Sequence, residues 1–254
     1  MIFTCSLQSG SNGNCFYVET PDARLLVDAG LSGKAAQERL VQHQRDIHDV
    51  DALLITHDHS DHTCGAGVFH RKFHLPLYIS KGSFNACSAK IGRVDHPHYF
   101  RPGASLRFNT TSVHTIPTPH DGREGAAFII EHDNKRLGVF TDLGHNFPGL
   151  NHAIANLDAL YLESNYDPDM LDHGDYPAWL KRRITSDKGH LSNQQAATLV
   201  ADHAKKLQFL ALAHLSQHNN TPEIALDTAR KTIGPHTTIA LAPRSGPSKP
   251  FYVR

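Results

Sequence analysis

The stretch DALLITHDHSDH, residues 51–62, runs from a short apolar strand directly into four metal-ligand side chains spread over six positions. His57, His59, Asp61 and His62 form H-x-H-x-D-H, and imidazole nitrogens with a carboxylate oxygen are donors that a borderline ion such as zinc accepts. Donors packed this densely reach two neighbouring ions if the chain turns between them. The competing reading is a polar loop in a histidine-rich chain, since 20 of the 254 residues are histidine. Sequence further along weighs against it. His120 follows TIPTP, Asp142 follows LGVFT and His214 follows QFLALA, so three more ligand-type side chains sit at the ends of apolar runs. Strands that each release such a residue at one edge are what a metal cluster on a sheet rim requires.

Outward from these points, strands are expected over residues 2–7, 16–19, 24–27 and 51–55, with a helix over 34–43 and a turn at SGSNGN, residues 9–14. The middle is β-rich: 105–108, 112–118, 126–131 and 136–141, the last two joined by HDNK. After Leu143, strand and helix alternate: a strand at 157–162, helices at 177–184 and 192–205, and a strand at 208–213. A helix at 221–232 has Thr221 as N-cap and Pro222 at its first position. A strand at 237–241 then precedes an irregular tail. No linker, repeat or charge block intervenes, so residues 1–254 read as one domain whose β-rich and β/α halves pack as layers.

Composition bounds the function. Lys+Arg and Asp+Glu both number 25, the pI is about 7.4 and the mean hydropathy −0.39. This excludes a strongly basic surface that coats nucleic acid, though not a local basic groove. Cys5, Cys15, Cys64 and Cys87 show no C-x-x-C spacing and read as free thiols, buried as small apolar residues in a reducing compartment. The first 14 residues hold no basic segment followed by an apolar one, and no window approaches the roughly 20 apolar residues of a membrane span. A cytoplasmic protein without membrane contact is the expectation.

THDHSDH, then PH, TD and AHLS together resemble the metallo-β-lactamase superfamily over essentially the whole chain. The resemblance implies an α+β (α/β) fold: a four-layer αββα sandwich of two mixed β-sheets flanked by helices. It implies two divalent ions, with His57, His59 and His120 on the first, Asp61, His62 and His214 on the second, and Asp142 bridging both. His59 stands where the diiron redox members carry glutamate, which favours hydrolysis. Asp142 is lacking in the β-lactamases themselves, which points to the glyoxalase II, ribonuclease Z and phosphodiesterase side. SLQSGSNGNCFYVE, LLVDAGLSGK, ITHDHSDHTCG, ESNYD, KRRI, GHLSN and LAHLSQHNNTPE are further similar to the YycJ/WalJ-type branch of 5′→3′ double-stranded DNA exonucleases. One departure is Asp58, where glutamate is expected.

That resemblance implies a dinuclear phosphodiesterase acting on DNA through a metal-bridging hydroxide, with zinc as the first choice of ion and manganese the second. Two alternatives stay open: a hydrolase of a small cyclic phosphodiester or thioester, and a non-catalytic metal-bound module that binds nucleic acid. Among catalytic candidates, Asp61 is joined by His190 of GHLSN, which precedes a helix capped by Ser192 whose N-terminus favours phosphate. By resemblance to ribonuclease Z-like members His190 serves the leaving group; otherwise it is a surface-loop histidine. Asp28 and Glu163 end apolar strands and read as supports of the ligands, or as a turn aspartate and a rim residue. Ser11, Asn12 and Asn14 read as a phosphate cradle or an ordinary hairpin turn. Lys181, Arg182 and Arg183 read as DNA-backbone contacts or a solvated face. Tyr176 and Trp179 read as core residues rather than base-stacking ones.

Overall fold

The computed structural model describes residues 1–254. Its first half holds β1 (Ile2–Gln8), β2 (Cys15–Glu19), β3 (Arg24–Val27), α1 (Gly33–Val41), β4 (Ala52–Leu54), α2 (Ser60–Thr63), α3 (Ala66–Phe73), β5 (Leu77–Ser80), α4 (Lys81–Ile91) and β6 (His98–Phe100). The second half begins with β7 (Ser105–Phe108), β8 (Thr111–Pro117), β9 (Ala126–His132), β10 (Lys135–Phe140), α5 (Pro148–Ile154), β11 (Ala159–Glu163) and α6 (Pro168–His173). It ends with α7 (Ala178–Ile184), α8 (Asn193–His203), β12 (Phe209–Ala213), α9 (Pro222–Thr232), β13 (Thr238–Leu241) and β14 (Phe251–Val253).

Two seven-stranded sheets result, in the orders β14-β1-β2-β3-β4-β5-β6 and β13-β12-β11-β10-β9-β8-β7. Each is antiparallel in one half and parallel in the other, with β3 to β6 and β10 to β13 as the parallel runs. Alternation along the strands separates three cores, because side chains two apart share a face. Phe16, Val18, Leu25 and Val27 meet Phe128, Ile130, Val139 and Tyr161 between the sheets. Their neighbours Tyr17 and Leu26 pack under Leu40 of α1 and Phe69 and Phe73 of α3. On the far side, Leu160, Leu162, Leu210 and Leu212 pack under α5, α8 and α9 through Leu150, Leu199, Val200 and Ala229. The four-layer αββα sandwich is the fold expected.

Several elements differ from expectation. The tail after β13 is not wholly irregular, since β14 adds to the edge of the first sheet with Ile2 opposite Val253. Residues 64–104, for which the sequence predicts no element, supply α3, β5, α4 and β6. Trp179 is not a core residue but is 62% exposed. Cys5, Cys15 and Cys87 are buried whereas Cys64 is exposed, and all four are free. No helix is long and apolar enough to cross a membrane.

Candidate metal centre

The parallel strands set the site's position. β3, β4, β10, β11 and β12 run out at one edge of the sandwich, and their ends deliver Asp28, the 56–62 loop, Asp142, Glu163 and His214. Three of these turn sharply: Asp28, Asp142 and His214 take left-handed backbone with φ of 64°, 56° and 54°. Such a residue costs roughly 1–2 kcal/mol, less for Asp and His than for branched side chains, and here it swings the side chain inward off the strand axis. Backbone bonds knit the loops together, from Asn14 N to Asp61 O, Gly30 N to Asn14 O and Ala29 N to His62 O, each 2.8 Å. A Cβ at Gly30 would lie 1.7 Å from the Asp61 carbonyl oxygen, so only glycine permits this approach.

The ligand-type side chains converge in four overlapping groups, of which His57, His62 and Asp142 form one and Asp142, Glu163, His190 and His214 another; two more share no residue with each other. These two are His57, His59 and His120, and Asp61, His62 and His214, with the ligand atoms of each group within 4.8 Å of one another. Asp142 lies between them: Oδ2 is 3.0 Å from His62 Nε2 and 2.8 Å from His214 Nδ1, while Oδ1 is 3.7 Å from His120 Nε2. Asp61 Oδ2 sits 3.4 Å from His62 Nε2 and 3.5 Å from His214 Nε2.

The surroundings fix which ring nitrogen faces inward. His62 Nδ1–H donates to Asp28 Oδ2 at 2.7 Å, His120 Nδ1–H to the Gly189 carbonyl at 2.8 Å, and His57 Nδ1–H to Thr56 Oγ1 at 3.0 Å. All three therefore direct Nε2 into the cluster, the atom that a metal would take. His59 is turned the other way, its Nε2 3.3 Å from Asp121 Oδ1 and its Nδ1 3.4 Å from His120 Nε2. The chemistry of this donor set fits divalent ions, and one atom tests the fit directly: His57 Nε2 is buried without a hydrogen-bond partner. A buried orphan nitrogen is costly unless something else takes its lone pair.

Electrostatics agree with that fit. Burial opposes ionisation of Asp142, but His214 and His62 outweigh it and hold the carboxyl well below its usual range. Burial also disfavours the His62 imidazolium, yet Asp28, Asp61 and Asp142 raise its pKa well above the ordinary value. Protons thus occupy part of the charge balance that a cation takes over. His57, by contrast, is pushed well below the ordinary value by burial and by His62.

Beside the ligands lies His190, whose Nδ1–H donates to Glu163 Oε1 at 2.5 Å and sits 3.5 Å from Asp142 Oδ1. Glu163 is fully buried, and its second oxygen accepts from Leu143 N at 3.0 Å. Burial alone would lower the His190 pKa, but Glu163 and Asp142 raise it to about 9. The whole edge opens into a cleft of about 410 Å³ lined mainly by polar groups, among them Ser11, Asp58, Lys90, Asn165, Arg183 and Ser216.

The metallo-beta-lactamase superfamily model matches residues 9–187. The chain belongs to this superfamily. It is 40% identical over 222 residues to Exodeoxyribonuclease YycJ of Bacillus anthracis, covering 86% of this chain and 84% of that one. It is 38% identical over 224 residues to Exodeoxyribonuclease WalJ of Streptococcus pneumoniae, covering 86% and 83%. The fold is also that of the metallo-beta-lactamase fold protein YhfI from Bacillus subtilis, with a TM-score of 0.73 at 15% identity over 98% of this chain and 100% of that one. The superfamily match ends before His190 and His214, which α8's leading loop and β12 supply.

Within this superfamily site, the residues expected to touch phosphate divide. Ser11 is exposed on the cleft, and Asn12 is exposed but donates to the Arg244 carbonyl at 3.2 Å. Asn14 is no part of an open cradle: it is fully buried, accepts from Gly10 N at 3.0 Å, and directs Nδ2 toward Asp61 Oδ2 at 3.4 Å. Ser192 is likewise occupied, buried in a capping box with Gln195 at the start of α8. The basic triplet does not act together. Lys181 donates to the Asp172 carbonyl at 2.6 Å, Arg182 is exposed and is not one of the cleft-lining residues, and Arg183 lines the cleft while binding Asp121 Oδ2 through Nε and Nη2 at 2.8 Å.

Asp121, which has no place in the sequence-based set, contacts His59, His120 and Arg183 at the site. Burial would raise its pKa, but His120 and Arg183 hold it below the usual carboxylate range. Its only sequence signal is adjacency to His120. Asn165, whose Nδ2 donates to the His214 carbonyl at 2.9 Å, carried a faint one in ESNYD. Asp58, the departure noted above, accepts from Arg123 N at 2.6 Å and so ties the ligand loop to the loop after His120.

Proposed function

We propose that this chain is a metal-dependent DNA exonuclease. The observation that carries this reading is the pair of buried Glu163 and half-buried His190 set against Asp142 at the edge of the ligand cluster, beside an open polar cleft. Two relatives named exodeoxyribonucleases, each matched over 86% of this chain, support DNA as the substrate class. Duplex preference and 5′→3′ polarity rest on the resemblance to that branch.

His57, His59 and His120 would hold one ion, Asp61, His62 and His214 a second, and Asp142 would contact both. Zinc suits five imidazoles, and manganese is the other candidate for phosphoryl chemistry in the same cage. When bound, such ions neutralise phosphate charge and acidify water. The protein's own contribution lies on the leaving side. Glu163 fixes His190 with Nδ1 protonated, leaving Nε2–H free toward the cleft. As the P–O bond to the departing strand breaks, this proton passes to the alkoxide oxygen, which would otherwise leave as a strong base. Asp121 keeps His59 oriented and holds Arg183 at the cleft wall, where its charge faces phosphate.

The test is a metal-reconstituted assay on end-labelled duplexes bearing 5′-phosphate or 5′-hydroxyl, beside bis-p-nitrophenyl phosphate and a thioester. Stepwise shortening from one duplex end supports the reading; thioester hydrolysis without DNA cleavage overturns it. His190→Ala is expected to retain metal stoichiometry yet lose about 10²–10⁴ in turnover. Unchanged turnover would remove His190 from the reaction.

A further inference from the structure

The α6–α7 hairpin forms a wall of the cleft with a small core of its own. Tyr166, Leu171 and Ile184 are buried together, with Tyr176 and Leu180 packed against them. Asp167 N donates to the Asn219 carbonyl at 2.8 Å, and the Tyr176 ring lies 5.8 Å from that of His218, so the hairpin is docked beside the strand end that carries His214. From it, Tyr176, Leu180, Arg183 and Ile184 line the cleft.

Trp179 stands in the first turn of α7, the helix that supplies this wall. It stands four residues before Arg183 and three before Arg182, and those spacings put all three on neighbouring positions of the α7 surface. It is the chain's only tryptophan and is 62% exposed. An indole in water forgoes the burial that normally holds this side chain inside a fold. Its neighbours differ in their freedom. Arg183 is pinned by Asp121, whereas Arg182 is exposed and belongs to no ion pair.

We propose that Trp179 is a stacking platform for a nucleobase at the end of the strand entering the cleft, with Arg182 on an adjacent phosphate. The inference rests on the nuclease reading above. Charge and continuity select this occupant: the exposed indole has the unpaired Arg182 one turn along α7 and shares that helix with Leu180, Arg183 and Ile184, which line the cleft holding the ligand cluster. Every base has a π-face, so stacking there grips a strand without selecting its sequence. Bases inside an intact duplex are already stacked on one another. A platform of this kind therefore favours a frayed or unpaired end over uninterrupted duplex.

Because Trp179 is the only indole, its emission reports on this one residue. The measurement uses metal-loaded His190→Ala protein, titrated with a duplex carrying a short unpaired end and with a covalently closed dumbbell of the same stem. The open-ended duplex is expected to quench the emission and the dumbbell to leave it unchanged. In labelled-duplex anisotropy, Trp179→Ala should weaken binding of the open end about tenfold and Trp179→Phe should restore most of it. Arg182→Ala should reduce the salt slope of binding by about one. Equal quenching by both DNAs, saturable binding with silent emission, or native affinity in Trp179→Ala would overturn the proposal. So would a change of oligomeric state in Trp179→Ala, which would make this part of α7 a contact between copies of the chain. If wild-type protein shortens DNA while Trp179 stays silent, only this inference fails. If it neither binds nor shortens DNA, the nuclease reading fails and takes the inference with it.

Discussion

Asp28 is hydrogen-bonded to one proposed ligand and, through Thr56, to a second. Its carboxylate accepts from Thr56 N at 2.8 Å, from Thr56 Oγ1 at 3.0 Å and from His62 Nδ1–H at 2.7 Å. Thr56 Oγ1 in turn accepts from His57, so a single buried anion orients an imidazole of each metal group. An amide in its place turns one acceptor into a donor and confronts an N–H. Asp28→Asn is therefore expected to lower metal affinity 10- to 100-fold, measured by competition with a chromophoric chelator; affinity within about twofold of wild type would deny Asp28 this role. Glu163 makes the complementary case, since it orients His190 rather than a ligand. Glu163→Gln should cut turnover while metal stoichiometry stays intact, and a parallel loss of metal would show it to be a support of the cluster instead. At this scale the ligand types were legible because each follows an apolar run. Asp121 was not, since its partners His59 and Arg183 lie 62 residues away on either side and come together only in the fold.

Elements are joined across the sandwich by a carboxylate outside the site. Asp22, in the β2–β3 turn, accepts from Thr110 N and from the hydroxyls of Thr110, Thr111 and Thr20, tying one sheet's hairpin to the β7–β8 hairpin of the other. These bonds, led by that of Thr110, hold its pKa below the ordinary carboxylate value. The folded form therefore binds this proton less readily than the unfolded chain does. The stabilisation is complete above a pH of about 4 and is lost as the pH falls below it. Asp22→Asn should lower stability by about 1 kcal/mol at pH 7 and flatten the acid limb of the urea midpoint against pH. An unaltered limb would assign that pH dependence to other groups. Elements with strong alternation or clear caps were legible in sequence, as the Thr221–Pro222 start of α9 and the Ser192 cap of α8 illustrate. β14 was not: three residues have no local reason to be a strand, and Val253 finds its partner Ile2 at the opposite end of the chain.

Across the whole molecule, the ligand set spans both sheets. His57, His59, Asp61 and His62 come from the first sheet, and His120, Asp142 and His214 from the second. Ions held by all seven would cross-link the two halves of the sandwich, and since only the fold assembles the full set they would favour the folded state. Saturation at about a hundredfold above Kd adds about 2.7 kcal/mol, which for a chain of this size raises Tm by roughly 5–10 °C. Thermal unfolding before and after chelation and re-addition of zinc checks this, and an unmoved transition would mean that the cluster binds no ion in the folded protein. By itself the sequence determined the candidate ligand types and their placement at strand ends, because hydrophobic alternation and strand termination are local properties of the chain. Tertiary structure alone decided which ring nitrogen each histidine presents, that Asn14, Ser192 and Arg183 are already engaged, and that Trp179 stands in solvent. Burial and hydrogen-bond partnership depend on groups brought together from distant parts of the sequence, and no local pattern encodes them.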